Sequence, residues 1–209
     1  YAEVDDLGTT SHDDSWLKWH VQHVLNLDLV NAHSVRSAGL KVAVDAVNSS
    51  GGIAIPMLLE SLGVEVVKVH CEPTGDFAHN PEPLPKHLTD LMKVVVDQKC
   101  DLGISVDPDV DRLCFVNEDG TFFGEEYTLV AVADYVLSKT PGNTVSNLSS
   151  TRALRVITER HGGMYTASAV GEVNVVEAIR NTQAIIGGEG NGGIIYPTSH
   201  SGRDALVGV

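Results

Sequence analysis

The first forty residues carry apolar and aromatic side chains at three- and four-residue intervals, which is the spacing of one helical face. Trp16, Trp19 and His23 follow this spacing, and the polar residues 13–15 before them are suited to cap the start of a helix. We expect both tryptophans to be packing groups on this helix. A second short helix is predicted over residues 29–38, because a glycine follows at a typical helix end.

From residue 41 onward, short apolar runs alternate with helical patterns. The predicted strands are residues 41–45, 64–69, 102–106, 112–116, 144–148, 164–167, 184–186 and 194–196. The predicted helices between them are residues 53–62, 86–99, 125–138, 153–161 and 173–180. This alternation is typical of an α/β fold with right-handed crossovers. We therefore predict the α/β class, with two consecutive domains that each pack a mixed β-sheet with α-helices.

A polar turn at residues 117–120 separates two parts of the chain, and the strand and helix pattern starts again after it. We place the domain boundary here, which divides the chain into residues 1–122 and 123–209. Domains of about 100 residues can bury a core of adequate size. The chain begins without methionine and ends within an apolar pattern at residues 203–209, so we expect it to be part of a longer polypeptide.

Composition and charge exclude several classes of protein. There are 28 acidic and 14 basic side chains, and the net charge of −14 disfavours binding to nucleic acid or to an anionic membrane surface. The chain has no apolar run near the roughly 20 residues that a membrane span needs. Three cysteines, Cys71, Cys100 and Cys114, lack CxxC spacing, which predicts reduced thiols in a cytoplasmic protein.

The most informative segment for chemistry lies between two predicted strands, where Asp107, Asp109 and Asp111 alternate with other residues and Arg112 follows. Alternate residues of an extended or tightly turning loop share one side, so the three carboxylates can converge. Three negative charges that close repel one another unless a cation lies between them, and a site of oxygen ligands alone favours Mg²⁺. Arg112 adds a fixed positive charge suited to a phosphate group.

This segment has two other interpretations. A solvated acidic turn could bond its aspartates to their own backbone. A calcium-binding EF-hand loop would place Glu118 at its twelfth position, but its sixth position, which requires glycine, is Arg112. Strand-like residues also follow where the EF-hand needs loop and helix. The sequence therefore favours the magnesium site.

A second candidate site is the glycine-rich segment at residues 187–193. It contains a formal GxGxxG, but residues 194–197 form a strand and a proline break where a dinucleotide site requires a helix. Glu189 can accept hydrogen bonds and Asn191 can donate and accept them, which suits the neighbouring hydroxyls of a sugar. By composition alone, a simple tight turn is an equal alternative.

Two further segments contain side chains that resemble catalytic groups. His79-Asn80-Pro81 lies among prolines, which predicts an exposed loop, and no nucleophile precedes the histidine. Thr166-Ala167-Ser168 offers a hydroxyl without a neighbouring base. Neither segment is predicted to carry covalent chemistry.

Several segments together resemble the α-D-phosphohexomutase superfamily of phosphoglucomutases, phosphomannomutases and phosphoglucosamine mutases. They are residues 44–52, 107–112, 170–172, 188–193 and 202–204. Their order and spacing match nearly the whole chain after residue 40, and the aspartate loop is the most specific of them.

The resemblance implies that the chain is domains two and three of a four-domain enzyme. In that enzyme a phosphoserine on domain one exchanges phosphate with a hexose phosphate through a bisphosphorylated intermediate. It implies that the three aspartates bind Mg²⁺, that Arg112 is the catalytic residue steadying the phosphoryl group, and that Glu189 and Asn191 bind the sugar hydroxyls. The expected partners are the hexose phosphate and the missing domains one and four.

The chain departs from the superfamily pattern at informative positions. Gly193 stands where many members have a histidine, and Ala169 stands where many have a lysine, so the general acid or base is unassigned. The phosphoserine segment is absent, and we expect these residues alone to be inactive. Two alternatives remain: an aspartate-nucleophile phosphatase that uses Asp107 and Asp109, and a non-catalytic sugar-phosphate binding module.

Overall fold

Two four-stranded sheets surrounded by helices make up the fold in the computed structural model, which describes residues 3–209. A short 3-10 helix lies at Val4–Asp6. The α-helices are α1 Trp16–Leu25, α2 Ala32–Ala38, α3 Gly51–Ser61, α4 Thr89–Asp97, α5 Glu125–Lys139, α6 Ala153–Arg160, α7 Glu172–Thr182 and α8 Ala205–Gly208. The strands are β1 Lys41–Asp45, β2 Glu65–Val69, β3 Leu102–Val106, β4 Leu113–Asn117, β5 Thr144–Asn147, β6 Tyr165–Ser168, β7 Ile186–Gly188 and β8 Ile194–Ile195.

Both sheets have the same topology. In the first, the strand order is β2-β1-β3-β4, with β1 parallel to both neighbours and β4 antiparallel to β3. In the second, the order is β6-β5-β7-β8, again with three parallel strands and one antiparallel edge strand. Each sheet is therefore mixed, and helices form the crossovers between parallel strands. The predicted fold class is confirmed.

Element ends differ from the prediction where local hydrogen bonds compete with the apolar pattern. Helix α4 begins at Thr89 rather than at residue 86, because the N–H groups of His87 and Leu88 close a turn on the carbonyls of Leu84 and Pro85. Strand β7 begins at Ile186 because the N–H of Ala184 still bonds to α7. The residue at which a helix or strand begins depends on which carbonyl its backbone N–H groups bond to. The hydrophobic pattern of the sequence does not show this.

Helix α1 buries a different face from the expected one. Val21 and Val24 are buried, whereas Trp16 and Trp19 are 64% and 58% exposed, so the tryptophans are not core packing groups. Ser15 stands at the N-cap position but makes no capping bond there, since its hydroxyl donates to Asp13. Val21 and Val24 therefore form the face of α1 that packs against the rest of the protein.

One hydrophobic cluster joins the two sheets. It includes Ile55 of α3 and Leu113 of β4 from the first half of the chain, together with Leu129 of α5, Ile194 of β8 and Leu206 of α8 from the second. Each such side chain contributes about 1.5–3 kcal/mol when it is fully buried. Because the cluster is continuous, the loop after β3 and the loop after β7 are packed against each other.

The three cysteines are poorly suited to nucleophilic chemistry. Cys71, Cys100 and Cys114 are free thiols, and burial raises the pKa of Cys71 to about 11 and also raises that of Cys114. A thiol with a raised pKa is a poor nucleophile at neutral pH. Across residues 3–209, no helix combines the length and hydrophobicity needed to cross a bilayer.

Candidate functional site

The aspartate loop closes on its own first residue. Asp107 directly follows β3 and is only 1% exposed. Its Oδ1 accepts the backbone N–H groups of Asp111 and Arg112 at 3.1 and 3.0 Å, and its Oδ2 accepts Arg112 Nε at 2.5 Å. Val110 adopts a φ of 61°, a left-handed conformation that β-branched residues rarely adopt and that makes the turn tight. The loop is therefore held by Asp107.

The three carboxylates of this loop come together as the spacing predicts. One oxygen each from Asp107, Asp109 and Asp111 lies within 4.8 Å of the others. Burial and the charge of Asp107 raise the pKa of Asp111 to about 6, although Arg203 acts in the opposite direction. The cluster thus holds more negative charge than its arginines neutralise. A donor set of carboxylate oxygens fits a hard divalent cation such as Mg²⁺.

Arg112 forms a fixed positive charge beside the carboxylates. Burial alone would lower the pKa of its guanidinium, but the hydrogen bond and the negative charge of Asp107 raise it. Its side chain is partly exposed and lines a cleft. It can therefore present charge to an anionic ligand without leaving its carboxylate partner.

The glycine-rich loop between β7 and β8 places its two polar residues in different surroundings. Glu189 is 5% exposed, and its two oxygens accept Asn147 Nδ2 at 2.7 Å and Arg203 Nη1 at 3.0 Å. Asn191 is exposed, and its Oδ1 accepts the N–H of Gly193 at 3.1 Å. Glu189 is thus held in place by protein contacts, whereas Asn191 faces the cleft.

The aspartate loop and the glycine-rich loop touch across the boundary between the two sheets. Arg112 and Gly193 form an antiparallel bridge, and the N–H of Leu113 donates to the carbonyl of Gly192 at 3.0 Å. Gly192 has a φ of 93°, and a side chain there would overlap the Leu113 carbonyl. The chain must therefore have glycine at this point to bring the two candidate sites together.

A residue to which no role was assigned connects these loops. Arg203, between β8 and α8, pairs through Nη2 with Asp111 at 2.5 Å and through Nη1 with Glu189 at 3.0 Å. Its Nε and its backbone N–H both bond to Glu172 at the start of α7, at 3.2 and 3.1 Å. The signal in the sequence was that Glu172 and Arg203 both lie in segments that carry the resemblance to the superfamily, residues 170–172 and 202–204.

The cleft at this junction has a volume of about 280 Å³. It is lined by Glu82, Pro83, Leu84, Arg112, Glu125, Glu126, Ser149, Gly190 and Asn191. A larger cavity of about 490 Å³ lies between α2, α5 and the end of α8, and its lining is almost wholly apolar. Of the predicted site residues, Arg112 and Asn191 line the smaller cleft, so we take that one as the candidate site. The three aspartates and Glu189 are not among its lining residues.

The segment at residues 44–52 is hydrogen-bonded to the aspartate loop. Asp45 is completely buried and accepts the N–H of Val47 at 2.9 Å, and His79 Nε2 lies 3.1 Å from both of its oxygens. The loop around His79 is exposed as predicted, but the His79 side chain turns inward to this carboxylate. The Ser50 hydroxyl donates to the Pro108 carbonyl at 3.1 Å and ties the two segments together.

The fold and site define an α/β two-domain unit whose charged groups meet at the domain boundary. A family model described as phosphoglucomutase/phosphomannomutase, alpha/beta/alpha domain II, matches residues 18–120, and the corresponding domain III model matches residues 124–209. The chain belongs to the phosphoglucomutase/phosphomannomutase family. The resemblance to the phosphohexomutases is confirmed.

Individual relatives agree with this assignment. A phosphoglucomutase/phosphomannomutase of Thermococcus kodakarensis is 33% identical over 99% of this chain and 45% of its own length. A phosphoglucosamine mutase of Nitratidesulfovibrio vulgaris is 34% identical over 81% of this chain and 38% of its own. A phosphoglucomutase/phosphomannomutase family protein from Burkholderia thailandensis has a similar structure, with a TM-score of 0.80, 27% identity, and coverage of 92% of this chain and 42% of its own. The chain spans less than half the length of these proteins.

Proposed function

We propose that this chain provides the metal site and the sugar site of a phosphohexomutase that interconverts hexose 6-phosphate and hexose 1-phosphate. The observation that carries this proposal is the direct contact between the aspartate loop and the glycine-rich loop, through the Arg112 and Gly193 bridge. Arg112 and Asn191 then line one cleft, and the aspartate cluster and Glu189 belong to the same two loops as these residues. Family membership supports the same class of reaction.

Each residue has a distinct part in this proposal. Asp107, Asp109 and Asp111 would hold Mg²⁺, which when bound supplies a Lewis acid for a phosphoryl oxygen. Arg112 lies beside them and stabilises negative charge on the phosphoryl group during transfer. Asn191 bonds sugar hydroxyls from the cleft wall.

Both oxygens of Glu189 already accept a hydrogen bond from the protein. A carboxylate oxygen can accept two hydrogen bonds, so each oxygen retains one place for a sugar hydroxyl. Its contacts with Asn147 and Arg203 leave little rotational freedom. We infer that Glu189 is preorganised to bind a hydroxyl in one orientation, which reduces the entropy lost on binding.

The remaining parts of the enzyme lie outside these residues in this proposal. Relatives are more than twice as long as the matched region, which supports further domains in the same polypeptide. We infer that a phosphoserine in domain one donates the phosphate, that the reaction passes through a bisphosphorylated sugar, and that domain four binds the second phosphate. The names of the relatives include glucosamine, glucose and mannose phosphates, so the substrate class is hexose phosphate.

The phosphatase alternative is opposed by the surroundings of Asp107. A nucleophilic aspartate must present an oxygen to the phosphorus of its substrate, but Asp107 is 1% exposed and is not among the residues that line the cleft. A cation needs only one lone pair, and Asp107 Oδ2 accepts a single hydrogen bond, from Arg112 Nε. The binding-module alternative differs in one observable: the complete polypeptide would bind hexose phosphate without converting it.

The metal assignment is tested by thermal unfolding of the chain with and without Mg²⁺. Asp109 is exposed, so Asp109→Asn removes a ligand with little effect on folding. We expect saturating Mg²⁺ to raise the Tm of the unsubstituted chain by about 2 °C and to leave the variant unchanged, since a ligand stabilises only the state that binds it. The matched control is Asp97→Asn, an exposed aspartate at the end of α4, which should retain the shift.

Two results would contradict the proposal. A Mg²⁺ shift that persists in Asp109→Asn would place the cation elsewhere. Mutase activity from these 209 residues alone would show that the phosphoryl donor is not in a missing domain.

A further inference from the structure

Arg203 joins three segments that are distant in sequence. One guanidinium contacts Asp111 of the aspartate loop, Glu189 of the glycine-rich loop and Glu172 of α7. Its side chain is only 19% exposed, so these pairs are poorly screened by water and salt. Three carboxylates around one planar cation fix both the position and the orientation of that cation.

The position of Arg203 depends on the absence of a side chain at residue 193. A Cβ on Gly193 would overlap Arg203 Cδ and would also lie 3.3 Å from its Cγ. Gly193 has an ordinary backbone conformation, since it is not among the glycines with positive φ. The glycine is therefore required here for the space it leaves to the arginine stem and not for backbone freedom.

Asp111 and Glu189 belong to opposite sides of the domain boundary, and Arg203 is bound to both. Nη2 holds Asp111 Oδ2 and Nη1 holds Glu189 Oε2, so the separation of the two carboxylates is set by the width of one guanidinium. Glu172 accepts from both the backbone N–H and the Nε of Arg203, which prevents the guanidinium from rotating away.

We propose that Arg203 is a positioning residue of the mutase site, which sets the distance between the metal-binding loop and the sugar-binding loop and occupies the space beside Gly193. This role rests on the proposed function. Arg203 itself need not contact the substrate. Its effect is exerted through Asp111 and Glu189, whose placement decides where the phosphoryl group lies relative to the sugar hydroxyls.

The first test compares Arg203→Ala, Arg203→Lys and a control, Arg180→Ala, an exposed arginine in the last turn of α7. The kcat and KM for hexose 6-phosphate are measured in the complete polypeptide, and the Kd for Mn²⁺ is measured by electron paramagnetic resonance in the chain alone. We expect Arg203→Ala to lower kcat/KM by about 100-fold, the loss typical of a displaced reacting group. Arg203→Lys should recover about a tenth of the activity, since an ammonium cannot hold both carboxylates in a fork.

Mn²⁺ affinity separates positioning from general loss of structure. Arg203 competes with a cation for Asp111, so its removal should leave the Kd for Mn²⁺ unchanged or lower it. A purely structural role would weaken Mn²⁺ binding in parallel with activity, and that parallel loss would overturn the inference. Full activity of Arg203→Ala would overturn it as well.

The second test uses the space beside Gly193. Gly193→Ala should displace the arginine stem and lower kcat/KM nearly as much as Arg203→Ala. In the Arg203→Ala background the same change should have less than about a twofold further effect, because the clashing atoms are gone. Additive losses would refute the spatial part of the inference. A complete polypeptide that converts no hexose phosphate would refute the proposed function itself, and the positioning role with it.

Discussion

At the scale of single residues, Gly192 shows how backbone conformation controls the contact between the two loops. Its φ of 93° lies in a region that favours glycine, and a Cβ added there would overlap the Leu113 carbonyl oxygen. Both conditions arise because the loop after β7 must turn sharply to meet the start of β4. Leu113 N–H donates to Gly192 in return.

We predict that Gly192→Ala lowers the free energy of unfolding by about 3 kcal/mol, from backbone strain and steric overlap together. Gly162→Ala is the matched control, because Gly162 also has a positive φ of 79° but nothing lies within 4 Å of its added Cβ. That control should lose only about 1 kcal/mol, the strain alone. Urea unfolding measures the loss of unfolding free energy in both variants. Equal losses would show that the overlap with Leu113 does not contribute to it.

The candidate site residues differ in how far local sequence determines them. Asp107, Asp109 and Asp111 are close in sequence, so their convergence follows from the spacing of one loop. Arg203 finds partners 14 and 31 positions away, and no local pattern predicts a contact of that kind. The inward turn of His79 likewise depends on a buried carboxylate far from it in the chain.

At the scale of elements, the start of α8 is anchored to α1. Asp204 caps α8 through Oδ1, which accepts the N–H groups of Leu206 and Val207. Its Oδ2 lies 2.8 Å from His20 Nε2 of α1 and 2.9 Å from His200 Nε2. Although these groups could hold a metal ion, the N–H of Gly202 donates to His200 Nδ1. That leaves the proton on Nε2, which suits a hydrogen-bond donor and not a ligand.

The stability that the His20 and Asp204 contact gives to the fold depends on pH. The hydrogen bond to Asp204 raises the pKa of His20 from its ordinary 6.5, against the effect of burial. Burial raises the pKa of Asp204, but the bonds from both histidines lower it below 3.8 overall. The stabilisation is therefore full between pH 3.8 and 6.5. It declines as pH rises above 6.5, where His20 loses its proton, and below 3.8, where Asp204 gains one.

We predict that the difference in unfolding free energy between the unsubstituted chain and His20→Gln shrinks as pH rises from 6 to 8. Urea unfolding at several pH values measures this difference. His12→Gln is the control, because His12 pairs with Asp14 at an exposed site and should have almost no effect at any pH. A difference that stays constant over this range would mean that His20 is held by packing and not by its charge.

At the scale of the whole molecule, the two sheets repeat one strand order although the sequence shows no convincing repeat. Topology depends on the order of apolar segments and on the handedness of crossovers, which many sequences satisfy. The identity of individual residues is less constrained, and the two halves therefore share a fold without sharing visible motifs.

The shared hydrophobic cluster predicts that the two halves unfold together. Both tryptophans lie in α1, so their fluorescence follows this helix, while far-UV circular dichroism reports all the helices. We expect the two signals to give one coincident transition and a calorimetric to van't Hoff enthalpy ratio of about 1. Fluorescence that changes well before the dichroism would show that α1 separates first, and two separate steps in the dichroism would show that the halves unfold independently.

The sequence by itself determined the fold class, the family and the aspartate cluster. Each of these depends on short-range information, namely the period of apolar residues and the spacing of polar residues within one loop. Helix α1 is an instructive exception, because the same spacing fits two faces and only packing shows that Val21 and Val24 are inside.

Only the tertiary structure decided how the two loops meet and which residue holds them. Gly192 allows the aspartate and glycine-rich loops to touch, and Arg203 then finds carboxylates on three segments. Such contacts form because burial of a common core brings distant segments together, after which unpaired charges must find partners in low dielectric surroundings. Charge pairing depends on which residues are close in three dimensions, so it produces no regular pattern in the sequence.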